Sequence, residues 1–214
     1  MDLRHIEKPR DSIEKILSHF SISKPCLLEP GQPLSIRKRS ENQSRKIYFL
    51  LEGAMISSVG ENEKKQNLGV VVSPAIIGLG QLNSADALAQ YESIAPCMVD
   101  SVNVDDFIKV IETHRLWPDL ITIMIAMVNQ LAARSAMSGL QSAYEIIRSN
   151  LLYMDSETAC ALKERYTVVK YMQTFSRLSR SIILKILSEL KAGGFIEMEK
   201  GKLIRISRNL PDRF

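Results

Sequence analysis

The chain has 214 residues, with 28 Lys and Arg, 24 Asp and Glu, and 45% hydrophobic residues, which is the composition of a globular protein with one or two domains. Its charged amino terminus lacks the apolar stretch of a signal peptide, and its longest apolar run, Leu120 to Val128, is too short to cross a bilayer. The widely spaced Cys26, Cys97 and Cys160 argue against a disulfide framework or a CxxC metal site, so we expect a cytoplasmic protein with buried, reduced cysteines. A redox-sensing cysteine is the alternative.

The first half of the chain combines two short helices with many short strands. Apolar residues recur at helical spacing from Asp11 to Phe20, and Asp105 and Asp106 open a second helix that ends near Thr113. Between Cys26 and Asp106, short apolar segments alternate with turns that contain Gly or Pro. We predict strands at 34–36, 47–51, 54–59, 68–72 and within 91–102, with a break at Glu52-Gly53 and a polar loop over 37–46. This pattern predicts a small antiparallel sandwich or roll.

A long helix is predicted at the centre of the chain. Pro118 is typical of a first helical turn, and no further proline occurs from Asp119 to about Tyr144, so the helix would be a rod of roughly 40 Å. Its first half is apolar on nearly all sides, so we expect one side to cover the β-domain and another to contact a second copy of the chain. The predicted dimerisation track is Leu120, Met124, Met127 and Leu131. A central helix in a monomer is the alternative.

The C-terminal quarter has the pattern of a winged helix-turn-helix. Ser142 to Met154 is predicted to begin this domain, Thr167 to Met172 to form the first helix of the pair, and 173–177 its turn. Ser179 is a predicted N-cap for a second helix that ends at Gly193 and Gly194. The buried face of that helix would be formed by Ile183, Ile186, Leu187 and Leu190. Segments 195–198 and 203–206 read as two strands around a basic turn, and the alternative is an ordinary amphipathic helix with a surface hairpin.

Charge distribution favours a nucleic-acid-binding module. From Lys163 to Phe214 there are 12 Lys and Arg against 5 Asp and Glu, whereas the other 162 residues hold 16 basic and 19 acidic residues. A net charge of +7 in the last quarter is typical of a DNA-binding domain. The predicted contacts are Arg180 and Lys185 with base edges, Arg177, Ser179 and Ser181 with phosphates or nearby bases, and Lys200 and Lys202 with the DNA backbone.

The order of β-roll, long helix and winged helix-turn-helix resembles the family of cyclic-AMP receptor and fumarate/nitrate-reduction (Crp/Fnr) regulators over nearly the whole chain. The matching stretches are IYFLLEG at 47–53, IIGLGQL at 76–82, DDFIKVIE at 105–112 and LSRSIILKILSEL at 178–190. The recognition helix of the family carries Ser-Arg and a basic residue five places after that Arg, and Arg180 and Lys185 occupy these positions. Ser181 replaces the acidic reader of the family, so its target sequence does not carry over.

The resemblance implies an α+β protein with a cyclic-nucleotide-binding-like β-roll at 1–115, a dimerisation helix at 116–145 and a winged helix-turn-helix at 146–214. It also implies contact with RNA polymerase. The closing string FIEMEKGKLIRISRNLP looks like small enterobacterial regulators described as inhibitors of hydrogen peroxide resistance, which implies stress or virulence gene control.

The ligand site departs from the family. Nucleotide-binding members have a carboxylate for the ribose where this chain has Gln81, and an Arg for the phosphate where the stretch around 87–92 has none. A phosphate would instead face Asp86 and Glu92, so we expect no cyclic nucleotide. Three isolated cysteines cannot hold an iron–sulfur cluster. His5, His19 and His114 leave a haem ligand open, but a solvated or core histidine is far commoner, so no cofactor is predicted.

The sequence therefore predicts a homodimeric, sequence-specific DNA-binding regulator that acts on a roughly palindromic site and is not controlled by cyclic AMP. Two other hypotheses remain open: a switch that binds an unidentified small effector in the β-roll, and a protein-interaction adaptor. No HExxH, GxSxG or Cys–His pattern occurs, and Gly194 to Lys202 lacks the spacing of a phosphate loop, so no catalysis is predicted. Because the longest apolar run is too short to cross a bilayer, no membrane partner is predicted either.

Overall fold

A computed structural model describes residues 8–34, 36, 45–60, 65–83, 89–138, 142–155, 163, 166–176 and 178–212, and at 133–134 and 136–138 it describes the backbone alone. The chain divides into two compact units with a boundary between Met127 and Val128. None of the helices in the described part of the chain is long and apolar enough to cross a membrane.

The first unit contains helix α1 (Arg10–Leu17), eight strands and helix α2 (Val104–Thr113). The strands are β1 (Cys26–Leu28), β2 (Pro33–Leu34), β3 (Lys46–Glu52), β4 (Ala54–Val59), β5 (Gln66–Val72), β6 (Ala75–Ile77), β7 (Ala89–Ser93) and β8 (Cys97–Asn103). They form two four-stranded antiparallel sheets, in the orders β1-β8-β3-β6 and β2-β7-β4-β5. This confirms the predicted β-roll. The predicted strands did not include β1 or β6. The three residues of β6 are all buried and so show no alternation of polar and apolar positions.

Gly53 forms the corner at which the chain passes from β3 in one sheet to β4 in the other. Its φ is +90°, and a Cβ at this position would lie 2.3 Å from the carbonyl oxygen of Pro96 and 2.8 Å from Cys97 Sγ. Any side chain would therefore combine a left-handed backbone with a steric clash. The predicted strand break at Glu52-Gly53 is confirmed.

Two apolar clusters stabilise this unit. One lies between the sheet that contains β3 and the helices, where the rings of Phe20 and Phe107 stack with centroids 5.5 Å apart. The other lies between the two sheets around Leu50, Met55 and Cys97. Burial of each large aliphatic side chain contributes about 1.5–3 kcal/mol. Leu120 and Ile123, from helix α3 (Trp117–Ser138), belong to the first cluster, so one face of α3 covers the β-roll as predicted.

The second unit contains the helices α4 (Ala143–Met154), α5 (Val168–Phe175) and α6 (Arg180–Ala192), followed by a hairpin of β9 (Ile196–Glu199) and β10 (Lys202–Ile206). Its buried side chains come from all five elements and from the C-terminal segment: Tyr144, Ile147, Leu151, Met154, Val168, Tyr171, Met172, Ile183, Ile186, Leu187, Leu190, Ile196, Leu203 and Leu210. The Tyr144 hydroxyl donates to the Pro211 carbonyl at 2.6 Å, and Arg148 forms an ion pair with Asp212 at 3.0 Å, so the C-terminal segment is held against α4.

The prediction of one helix from Asp119 to Tyr144 is wrong. Helix α3 ends at Ser138, and α4 begins separately because Ser142 forms a capping box with Glu145. The Ser142 hydroxyl accepts from the Glu145 backbone N–H at 3.2 Å, and the Glu145 carboxylate accepts from the Ser142 N–H at 2.8 Å. Gly139 lies outside the described residues.

The first helix of the helix-turn-helix pair, α5, is longer than predicted. It begins after the predicted Thr167, whose hydroxyl caps it, but it continues three residues beyond Met172, to Phe175. The Phe175 ring packs on Tyr171 with centroids 4.7 Å apart, and the helix ends at Ser176, whose hydroxyl donates to the Met172 carbonyl at 2.6 Å. The turn therefore starts at Ser176 instead of Gln173, and Arg177 lies outside the described residues.

Candidate nucleic-acid interface

The N-terminal end of α6 is capped and exposed. Ser179 has an extended backbone, and its hydroxyl accepts from the Ile182 N–H at 3.4 Å and lies 3.0 Å from the Ser181 hydroxyl. The predicted N-cap is therefore confirmed. Because a side-chain cap uses one of the four free N–H groups of a helix end, the positive end of the helix dipole remains available for an anion such as a phosphate.

The two sides of α6 differ in character. Ile183, Ile186, Leu187 and Leu190 are buried, as their spacing predicts. On the opposite side Arg180, Ser181 and Lys185 are exposed, together with Ser188. The helix ends at Gly193, and Gly194 follows with a φ of +68°, which confirms the predicted stop. One helix thus brings three of the predicted DNA-contacting side chains to one exposed surface.

The wing is the hairpin of β9 and β10, whose strands are joined by a two-residue turn. Glu199 and Lys202 pair in register, and the turn residues Lys200 and Gly201 both have positive φ, 47° and 81°, as a type I′ turn requires. The Gly201 carbonyl accepts from the Val168 N–H at 2.8 Å, so the tip of the wing is held at the start of α5. The predicted strands are confirmed with a shift of one residue at β9 and β10, and Lys200 is exposed at the tip.

The positive charges of this unit are not all equivalent. Arg205 forms two hydrogen bonds with Glu197 across the hairpin, at 2.8 and 2.9 Å. These bonds hold the pKa of Glu197 below its ordinary value and raise the pKa of Arg205. By contrast, Arg180, Lys185 and Lys200 form no ion pair with any residue that the structure describes. The first half of α6 and the tip of the hairpin therefore both carry positive charge that no described acidic residue pairs with.

Two exposed apolar residues of α6 were missed by the sequence analysis. Leu184 and Ile182 expose 45% and 42% of their surface. They were overlooked because the outward side of the helix was inferred from its polar residues alone. The signal was present in the spacing, since Leu184 follows Arg180 by four residues and therefore lies beside it on the helix surface.

The predicted dimerisation track changes at two positions, because Leu120 is buried and Met127, although exposed, lies outside the heptad series of the other exposed residues. Leu120 is only 1% exposed and packs in the core of its own unit, whereas Met124, Met127 and Leu131 are exposed. The exposed apolar residues with heptad spacing along α3 are Trp117, Ile121, Met124, Val128 and Leu131, which we call the α3 seam. Their exposed fractions lie between 42% and 61%.

In the β-roll, the side chain of Gln81 is used internally. It is 5% exposed, its Nε2 donates to the Ile36 carbonyl at 3.1 Å, and its Oε1 accepts from the Lys46 N–H at 3.1 Å. Glu92 forms an ion pair with Lys65 at 3.3 Å. Asp86, Ala87 and Leu88 lie outside the described residues.

The histidines and cysteines show one departure from expectation. His19 and His114 are exposed and stack with ring centroids 4.1 Å apart, and His5 lies outside the described residues. Cys97 is buried, and burial raises the pKa of its thiol. Cys26 is exposed on the edge strand β1, so the prediction that it is buried is wrong. Cys160 lies outside the described residues. Within the described part of the chain, no three His, Cys, Asp or Glu side chains are placed to hold a metal ion.

Comparison with known proteins agrees with this architecture. Residues 143–212 match a family described as winged helix-turn-helix DNA binding. The structure of FixK2 from Bradyrhizobium japonicum superposes with a TM-score of 0.67 at 16% identity, covering 88% of this chain and 94% of that one. A transcriptional regulator of the CRP/FNR family from Thermus thermophilus superposes with a TM-score of 0.59 at 14% identity, covering 84% and 92%.

The chain has the Crp/Fnr fold. In sequence, the chain is 29% identical over 214 residues to the inhibitor of hydrogen peroxide resistance from Salmonella typhimurium, covering 95% of this chain and 99% of that protein. The resemblance inferred from the sequence is thereby confirmed, and so is the winged helix-turn-helix DNA-binding domain. The same fold is found in the transcriptional regulator of the CRP/FNR family from Thermus thermophilus.

Proposed function

We propose that the protein regulates transcription as a homodimer that binds a roughly palindromic DNA site through α6. The observation that carries this proposal is the exposed surface of α6, where Arg180 and Lys185 have no ion-pair partner among the described residues and follow a capped helix start. Arg and Lys at the start of such a helix can donate to guanine O6 and N7 in the major groove.

The other predicted residues act on the DNA backbone in this proposal. Ser179 and Ser181 lie at the positive end of α6, where hydroxyl and N–H groups bind phosphate oxygens. Arg177, which precedes α6 in the sequence, is proposed to bind the same phosphates or a nearby base. Lys200 and Lys202 extend the positive surface along the wing. These contacts set the position of the helix, and the α6 side chains read the bases.

The α3 seam supports a parallel dimer. Trp117, Ile121, Met124, Val128 and Leu131 repeat at alternating intervals of four and three residues, which is the spacing of a two-stranded coiled coil. Five exposed large apolar residues on one helix form a surface that a soluble monomer rarely leaves open. A two-fold dimer presents two copies of α6 about 34 Å apart, which matches half-sites one helical turn apart.

The internal use of Gln81 supports regulation without a cyclic nucleotide, because its amide is already bonded to two backbone groups of the β-roll. We extend to this chain the role that the name of its relative states, a negative effect on hydrogen peroxide resistance. The proposal assigns no catalytic step to the protein, and contact with RNA polymerase is part of the proposed mechanism.

The experiment is a selection of genomic DNA fragments by the purified protein without added ligand, at physiological salt, with sequencing of the retained DNA. We expect a palindromic motif with half-site centres about 10–10.5 base pairs apart, and retention that falls steeply as salt rises. Retained DNA without a motif would contradict sequence-specific binding in the absence of an effector. Loss of all salt-dependent retention would contradict DNA binding and favour the adaptor hypothesis.

A further inference from the structure

Leu184 has no role in the domain core and lies within the proposed reading surface. It is 45% exposed on α6, whereas its neighbours Ile183 and Ile186 are buried. We propose that Leu184 reads a thymine in each half-site, by packing on the C5-methyl group of that base in the major groove. This inference rests on the proposed function and names one base that the site must contain.

The geometry of α6 places Leu184 among the polar reading residues. It follows Arg180 by four residues, which puts the two side chains about 40° apart around the helix axis. It precedes Lys185 directly and follows Ser181 by three residues. Arg180, Ser181, Leu184 and Lys185 therefore form a contiguous group on the first turn and a half of the helix, where the base-contacting residues of a helix-turn-helix lie.

The chemistry of the groove selects the base. Among the four bases, thymine alone presents a methyl group in the major groove, whereas the polar edges of the others offer donors or acceptors that a leucine leaves without a partner. A leucine on this surface therefore raises the affinity for DNA when it packs on a methyl group and lowers the affinity when it covers a polar base edge. Burial of one methyl group corresponds to about a fourfold change in affinity.

Ile182 provides a matched control on the same helix. It is exposed to a similar degree, 42%, but lies about 160° around the helix axis from Leu184. Replacing either residue by alanine removes exposed aliphatic surface near the N-terminal end of α6 without opening the core. A general effect of apolar surface on helix stability or solubility would appear in both variants, whereas the loss of a base contact made by Leu184 would appear only in Leu184→Ala.

The test measures the coupling between the leucine and the DNA methyl group. Each thymine of the selected site is replaced in turn by deoxyuridine, which removes only the C5-methyl, and dissociation constants are measured for wild type, Leu184→Ala and Ile182→Ala. At one thymine per half-site we expect deoxyuridine to raise the dissociation constant about fourfold for wild type and Ile182→Ala, and to leave it unchanged for Leu184→Ala. Thermal melting followed by circular dichroism checks that both variants fold.

Two results would overturn the inference, and they have different meanings. In the first, wild type prefers the selected site over scrambled DNA, but deoxyuridine lowers the affinity of wild type and of Leu184→Ala equally at every position. The proposed contact of Leu184 with thymine is then wrong, and the proposed function stands. If wild type shows no preference for the selected site, the proposed function fails and the inference fails with it.

Discussion

At the scale of single residues, Gln81 links segments of the β-roll that are distant in sequence. Its amide accepts from the first residue of β3 and donates to Ile36, which lies between β2 and β3. Arg45 also donates to the Gln81 carbonyl at 2.7 Å. A side chain that is 5% exposed and bonded through both its amide oxygen and its amide nitrogen serves as part of the fold, so its position is better explained by stability than by ligand binding.

This account predicts a stability cost for Gln81→Leu. The substitution leaves the Lys46 N–H and the Ile36 carbonyl without their partner, so we expect the free energy of unfolding to fall by about 1–3 kcal/mol. Gln90→Leu is the control, because Gln90 is only half-buried and donates a single bond, at 3.3 Å, to Gly60. Urea unfolding is followed by the fluorescence of Trp117, the single tryptophan, which belongs to the same unit. Equal midpoints for wild type and Gln81→Leu would contradict this role.

At the scale of elements, α3 divides its apolar residues between two tasks. Leu120 and Ile123 face the core of the β-roll, whereas the α3 seam remains exposed. The seam lies next to the core face around the helix axis, so one helix can cover its own unit and contact a second copy at the same time. This explains why the first half of α3 is apolar on nearly all sides.

A charge within the seam should separate the dimer. In Met124→Lys the ammonium would lie in the apolar contact of both chains, and we expect the dissociation constant of the dimer to rise by at least about tenfold. Gln130→Lys adds the same charge to an exposed polar position on another side of α3 and should leave the dimer intact. Sedimentation equilibrium measures the dissociation constant of the dimer for both variants. A Met124→Lys protein as dimeric as wild type would contradict the seam.

Much of this architecture could be predicted from the sequence, because local signals determine it. Ser179, the apolar periodicity of α6 and the Gly193-Gly194 stop fix the second helix of the pair without tertiary information. By contrast, local signals could not predict whether Leu120 belongs to the core of its own unit or to a contact with a second chain. In a helix that is apolar on most sides, periodicity does not distinguish a core-facing residue from a partner-facing one, and only the packing of α3 against α1 and α2 decides it.

Leu184 illustrates a second limit of sequence reasoning. Helical spacing placed Leu184 beside Arg180, but leucine is a residue type that usually fills cores, so its type did not mark it as exposed. The exposed Cys26 was mispredicted for a related reason, since burial of a small residue depends on whether its strand lies at the edge of a sheet. In both cases the position of the element in the fold determines the exposure.

At the scale of the whole molecule, the distribution of charge supports the proposed function. The last 52 residues carry a net charge of +7 and the other 162 a net charge of −3, so the positive charge that attracts DNA is concentrated in the segment that contains α6. A homodimer doubles this positive surface and repeats it about a two-fold axis. Such a molecule requires a site with two similar halves, and each base contact occurs once in each half.

The most direct test of this account is the base preference of Arg180→Ala. Dissociation constants are measured for the selected palindrome and for all single-base-pair variants made symmetrically in both halves, with Lys191→Ala as a control of equal charge at the far end of α6. We predict that Arg180→Ala weakens binding to the palindrome by about 1–3 kcal/mol and loses its preference at one base pair per half-site, whereas Lys191→Ala keeps every preference. An unchanged preference at every position in Arg180→Ala would contradict the claim that α6 reads the site through this residue.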